Sequence, residues 1–269
     1  MPIRATVLGS GSSGGVPRIG NHWGACDPEE PKNRRRRCSL LVEQWQDDPA
    51  KKTVVLVDTS PDMREQLLGT DIEWIDGVLY THDHADQANG IDDLRMVALN
   101  RMRRVSVWLD DATAKSLKHR FNYCFEQAPG SGYPAILDAH RIEGSGKPVR
   151  VEGEGGTVTA IPFEVDHGEI KALGFRFGPL AYCADVVDIS DDSFGLIEGI
   201  ECFIVDALRY KPHPTHAHVE KALGWIDRVQ ARHGILTNLH VDIDYQTLKG
   251  ELPAHVEPAY DGLTVTLET

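Results

Sequence analysis

The segment Thr81-His82-Asp83-His84-Ala85-Asp86-Gln87, directly behind the apolar run 77–80, limits the folds open to this chain more than any other stretch. In an extended backbone, His82, His84 and Asp86 project to one side, as a metal ion needs and a helix would not supply. A lone histidine behind a strand is more often a hydrogen-bonded core residue. Three ligand types at this spacing point to metal binding, so the fold has to bring further donors to the same strand end. His167, Asp185, Asn238 and His240 are the candidates, because each follows an apolar run, the last two the same one.

Those runs recur through both halves of the chain. Short β-rich segments lie at 5–8, 39–42, 53–57, 77–80, 105–109, 157–163, 173–177, 202–205 and 234–236. Between them, Ser60-Pro61 starts a helix that Gly69 ends, Asp110 starts another, and Thr215 is read as the cap of the longest. In that last helix Val219, Leu223, Ile226 and Val229 form one apolar stripe. Strands and helices interleave without a linker, so the expected α/β architecture is a single domain over 1–269, with two sheets packed together under helices. The Gly- and Pro-rich stretch 130–156 reads as a long loop or midpoint join.

Composition narrows the function. The 269 residues carry 28 Lys and Arg against 41 Asp and Glu, a formal charge of −13. That field repels long polyanions, so long nucleic acid is not an expected partner. The absence of a long apolar run and of a signal-like start suggests no membrane association and a cytoplasmic location. The five cysteines are scattered without paired spacing, and Cys26 alone cannot build a thiolate zinc site. Arg34 to Arg37 form the only basic run, usually a solvated surface; only two of the four could face a substrate phosphate. Phe121, Tyr123, Phe125 and Tyr133 read as core or lid packing beside Pro129-Gly130. Tyr210 to His218 crowd three histidines at the start of the Thr215 helix, whose N-terminus attracts phosphate and where His216 could donate a proton to a leaving group.

The glycine-rich Gly9-Ser10-Gly11-Ser12-Ser13-Gly14-Gly15-Val16-Pro17, Asp58 closing a strand, Thr81-His-x-His-x-Asp, then His167, Asp185 and Leu236-Thr237 resemble the metallo-β-lactamase superfamily. More narrowly they resemble its phosphodiesterase branch, which includes ribonuclease Z and the cyclic phosphodiesterase of phosphonate breakdown. The resemblance implies an αββα sandwich of two mixed sheets flanked by helices, and a metal-dependent hydrolase of a small or cyclic phosphodiester. Thioester, lactone or lactam hydrolysis, and a catalytically impaired ligand-binding relative, are the alternative functions. It implies His82, His84 and His167, with bridging Asp185, around one Zn2+ or Mn2+ ion, and Asp86 at a second. Gln87 and Asn238 stand where the family pattern has that second ion's histidines, and His240 could partly compensate. About one tightly held ion per chain is therefore expected, with Asp86 free to orient or deprotonate water and His216 as the acid. The expected partner is a small phosphodiester, and a homodimer is compatible with the chain.

Overall fold

A computed structural model describes residues 1–268. The first sheet is built from β1 (Pro2–Gly9), β2 (Ser39–Trp45), β3 (Lys52–Val57), β4 (Gly77–Leu79), β5 (Val105–Leu109) and β6 (Leu137–Arg141). The second takes β7 (Val149–Gly153), β8 (Gly156–His167), β9 (Ile170–Phe177), β10 (Leu180–Cys183), β11 (Cys202–Asp206), β12 (His233–Thr237) and β13 (Val256–Pro258). The chain then returns as β14 (Thr264–Glu268) to pair with β1, giving seven strands in each sheet. Both sheets are mixed: β1, β2 and β3 are antiparallel while β3 to β6 are parallel, and β7 to β10 are antiparallel while β10 to β13 are parallel.

The helices are α1 (Met63–Leu68), α2 (Ala85–Ala88), α3 (Leu94–Arg101), α4 (Asp111–Arg120), α5 (Asn122–Phe125), α6 (Asp191–Leu196), α7 (Val219–Arg228) and α8 (Tyr245–Glu251). Burial shows why the strands read as continuous apolar runs rather than alternating ones. Val55 and Val57 of β3 face a core shared with Phe175 and Tyr182 of the second sheet, whereas Val54 and Leu56 pack against Met63 and Leu94 under the helices. On the far side Phe203 and Val205 of β11 bury Val219, Ala222 and Ile226 of α7. This is an αββα sandwich with apolar layers on both faces of each sheet.

Two readings of the sequence need adjusting. The stretch 130–156 is the midpoint join between the two sheets rather than a long loop, and it holds β6 and β7, the edge strands where the chain leaves one sheet for the other. Their exposed Asp138, His140, Arg150 and Glu152 hide the strand signal. Second, α7 begins at Val219 with His218 at the cap, not at Thr215. Pro212 and Pro214 precede it, and Ala217 exchanges backbone hydrogen bonds with Val186 and Leu208, so 215–217 are held in an extended path.

The cap of α8 fastens the glycine-rich end of the molecule to the rest. Asp244 accepts from the Thr247 N–H at 2.9 Å and from Asn33 Nδ2 at 2.6 Å. Burial opposes its charge, but these donors outweigh it and hold the carboxyl down at about 2. Asp244→Ala is expected to cost about 1–2 kcal/mol in urea unfolding at neutral pH. Because the folded value lies below the unfolded one, that stabilisation is complete above about pH 4 and fades as pH falls towards 2. The gap between wild type and variant should close over that window.

Candidate metal centre

Strands β3, β4, β8, β10, β11 and β12 all deliver polar residues from their C-terminal ends to one rim. Asp58, just past β3, adopts φ 63° and turns its carboxylate towards Thr81, whose N–H and hydroxyl donate to its two oxygens, each at 2.8 Å. Burial pushes Asp58 up to about 8 against the pull of those donors. Since the Thr81 hydroxyl proton goes to Asp58, its oxygen accepts from His82 Nδ1 at 2.9 Å. The other ring nitrogen of His82, Nε2, is buried without a partner. Burial and the neighbouring imidazoles keep this ring neutral, so the bare Nε2 presents a lone pair.

His167 repeats the arrangement. Its Nδ1 donates to the Thr215 carbonyl at 2.8 Å, leaving Nε2 turned towards the other rings, and burial pushes the ring down to about 4. His84 is exposed and brings its Nδ1 to 3.3 Å from His167 Nε2. The three ring centroids form a near-equilateral triangle with sides of 4.5, 5.1 and 5.1 Å. Their ligand atoms lie within 4.8 Å of one another, as do those of His167, Asp185 and His216. The orphaned Nε2 and the three convergent imidazoles fit a divalent ion.

Asp185 lies beyond β10, 5% exposed, with both oxygens engaged: Gln87 Nε2 donates to Oδ2 at 2.6 Å and Asn238 Nδ2 to Oδ1 at 3.4 Å. Burial raises its pKa, His216 opposes that, and Asp86, Asp206 and Asp58 add to it. His216 donates from Nδ1 to Asp206 at 2.8 Å and lies 3.6 Å from Asp185. Burial disfavours its charge, but Asp206, Asp185 and Asp86 prevail and push it up to about 9. Asp206 is fully buried and also accepts from Val186 N–H and Asn238 Nδ2.

The sequence candidates therefore divide. His82, His84 and His167 converge in one donor cluster, and Asp185 joins His167 and His216 in a second that shares only His167 with the first. Asp86 sits on the first turn of α2 rather than in an extended segment, because the chain becomes helical at Ala85. It acts on Asp185 and His216 through its charge and belongs to neither donor cluster among the described residues. His240 also stands outside both clusters, where it faces Arg18 Nη2 and Asp242. His216 is not at a helix N-terminus, since α7 starts three residues later. The sequence does not show the roles of Asp206 and Thr81, nor that Gln87 donates to Asp185.

The arginine run is only partly solvated: Arg34 is exposed, but the other three are engaged by the fold. Arg35 is 2% exposed and donates to the Ile243 carbonyl and Asn33, while Arg36 pairs with Asp261 and Arg37 with Asp62. The glycine loop passes this run at backbone distance: a Cβ on Gly9 would lie 1.9 Å from the Arg37 oxygen. The same loop supports Asn238, because Leu239 N–H donates to the Ser10 carbonyl at 2.8 Å.

Residues 53–238 match the family model described as the beta-lactamase superfamily domain. The chain belongs to that superfamily. Its metallo-β-lactamase fold is shared with a crystal structure titled as a new diphosphatase from the PhnP family, at TM-score 0.87 and 36% identity, covering 99% of this chain and 98% of that one. Zn2+-bound PqqB from Methylobacterium extorquens shares the fold at TM-score 0.70 and 16% identity, covering 97% and 99%. A curated relative, the octanoyltransferase of Porphyromonas gingivalis strain ATCC BAA-308 / W83, is 32% identical over 269 residues. The match covers 99% of this chain, which spans about half (52%) of that relative's length. The superfamily membership and the histidine–aspartate cluster make this a hydrolase fold built around a divalent metal. Among the described residues, no helix is long and apolar enough to cross a membrane.

Proposed function

We propose that the protein is a metal-dependent hydrolase of small phosphodiesters, including cyclic or diphosphate-bridged ones, with zinc or manganese as its ion. The observation that carries this reading is the proton donor beside the metal cluster: His216, oriented by Asp206 and stacked edge-on to His167 at 4.8 Å. Phosphodiester cleavage expels a basic alkoxide, which needs a proton, and an imidazole held in one tautomer by a buried carboxylate is suited to deliver it. The 36% identity to a PhnP-family diphosphatase supports hydrolysis at phosphorus.

His82, His84, His167 and Asp185 would hold the ion. When bound, it supplies positive charge opposite the phosphoryl oxygens and makes water nucleophilic at neutral pH. Asp86, whose carboxylate belongs to neither donor cluster, is assigned to orienting the attacking water and taking its proton. His216 Nδ1 stays bonded to Asp206, so the proton leaves from Nε2. The name of the curated relative describes a chain about half of which has no counterpart here, and acyl transfer draws no support from this site.

The test is turnover of bis-p-nitrophenyl phosphate, a cyclic nucleotide and a dinucleoside diphosphate beside a thioester and a lactone, with zinc or manganese added. Phosphodiester cleavage that a chelator abolishes is the expected result. Turnover of the thioester or lactone alone would replace this reading with the carboxylic one.

A further inference from the structure

The second-ion position of the superfamily pattern is filled here by Gln87 and Asn238, and both side chains point their nitrogens inward. Gln87, 1% exposed, places Nε2 at 2.6 Å from Asp185 Oδ2; Asn238, 2% exposed, places Nδ2 at 3.4 Å from Asp185 Oδ1 and 3.2 Å from Asp206 Oδ1. A carboxamide nitrogen is a donor with no lone pair to offer a metal. Turning the Gln87 amide over would set its oxygen against a carboxylate oxygen at the same 2.6 Å, a repulsive contact that only an intervening cation would relieve. As folded, the Gln87 oxygen is buried without a partner, the consequence of aiming the nitrogen at Asp185.

We propose that the Gln87 and Asn238 carboxamides replace a second metal ion, clamping the Asp185 carboxylate through N–H donation so that the site works with one ion. The inference rests on the three-histidine cluster being the metal site. Donors on both oxygens do for Asp185 what a second cation would do, fixing the carboxylate plane and balancing part of its charge in a buried setting. His240, the imidazole that the sequence offers as a replacement ligand, turns instead to Arg18 and Asp242, and His216 gives its Nδ1 to Asp206. Gln87 and Asn238 are thus positioning residues, and excess metal does not displace them.

Metal content and cobalt spectra test this together. The wild-type protein, incubated with excess zinc and then dialysed, should carry about one ion per chain by mass spectrometry. The Gln87→His, Asn238→His double variant should carry about two. Asn238 lies at φ 60°, a region that histidine also enters, so the exchange suits the backbone. Gln87→Leu keeps the bulk but removes the shorter of the clamp's two contacts, leaving only Asn238 at 3.4 Å. It should weaken the single ion about 10- to 100-fold and shift the visible bands of the cobalt-substituted protein, because Asp185 is freed to rotate. Two ions in the wild type, or a cobalt spectrum unmoved by Gln87→Leu, overturns the clamp and leaves the three-histidine site standing. No ion in the wild type overturns that site, and the inference with it.

Discussion

Protein carrying His82→Ala is expected to purify with less than about a tenth of the wild-type metal and to lose hydrolysis by at least about 100-fold, since a lost ligand costs more than the 10–100-fold of a lost supporting contact. His82 supplies the one ring nitrogen of the triangle that is fully buried and partnerless, so no other group in the fold takes up its place. His84→Ala should remove the ion as effectively while disturbing the fold less, because His84 is exposed. Thr81→Val keeps the ligand and removes the hydroxyl that orients it, and should weaken the ion about 10- to 100-fold. Thermal unfolding with and without added zinc separates these outcomes from misfolding. An ion that binds only the folded state raises the midpoint of the wild type, and that rise disappears in His82→Ala if the variant is folded but empty. Wild-type metal content in both histidine variants would refute the site.

Much of this centre was legible because its chemistry is local in sequence. His82 and His84 follow one strand at a fixed spacing, and His167 and Asp185 each close an apolar run, so the strand signal and the donor coincide. What escaped was the part that depends on how strand ends meet. Asp58 and Asp206 close runs of the same form, Val-Leu-Val-Asp and Phe-Ile-Val-Asp, yet nothing local says that one orients Thr81 and the other His216. The donor direction of Gln87 and Asn238 is likewise a tertiary fact. From sequence they read as missing ligands, whereas in the fold they grip the carboxylate those ligands would have shared. The arginine run misled for the opposite reason. Four charges in a row suggest a solvated face, but Arg35 meets backbone and amide oxygens that come from 243 and 33 and is buried among them. The αββα layering was readable from recurrent buried runs, and the edge strands β6, β7 and β14 were not, since half their residues face water.

His216→Ala should separate proton delivery from metal binding. The ring is held by Asp206 and does not belong to the three-histidine triangle, so the variant is expected to keep about one ion per chain. Its turnover should fall about 100- to 10,000-fold on an alkyl phosphodiester, the range that a positioned acid contributes. On bis-p-nitrophenyl phosphate the loss should be far smaller, because p-nitrophenolate leaves without needing a proton. Asp206→Asn should lie between wild type and His216→Ala on the alkyl substrate: the imidazole remains, but the carboxylate that fixes its tautomer and favours its charge is gone. Asn238 also donates to Asp206, so a folded, metal-loaded Asp206→Asn has to be confirmed by metal content and thermal midpoint before the rates are compared. An equal loss on both substrates in His216→Ala would mean that the histidine binds the phosphoryl group instead of protonating the leaving oxygen. Loss of the ion along with activity would make it a ligand, in line with its place beside His167 and Asp185 in the second donor cluster. Only retention of the ion with a loss that grows as the leaving group becomes more basic fits the acid, and that dependence distinguishes the phosphodiester reading from an acyl hydrolase on the same fold.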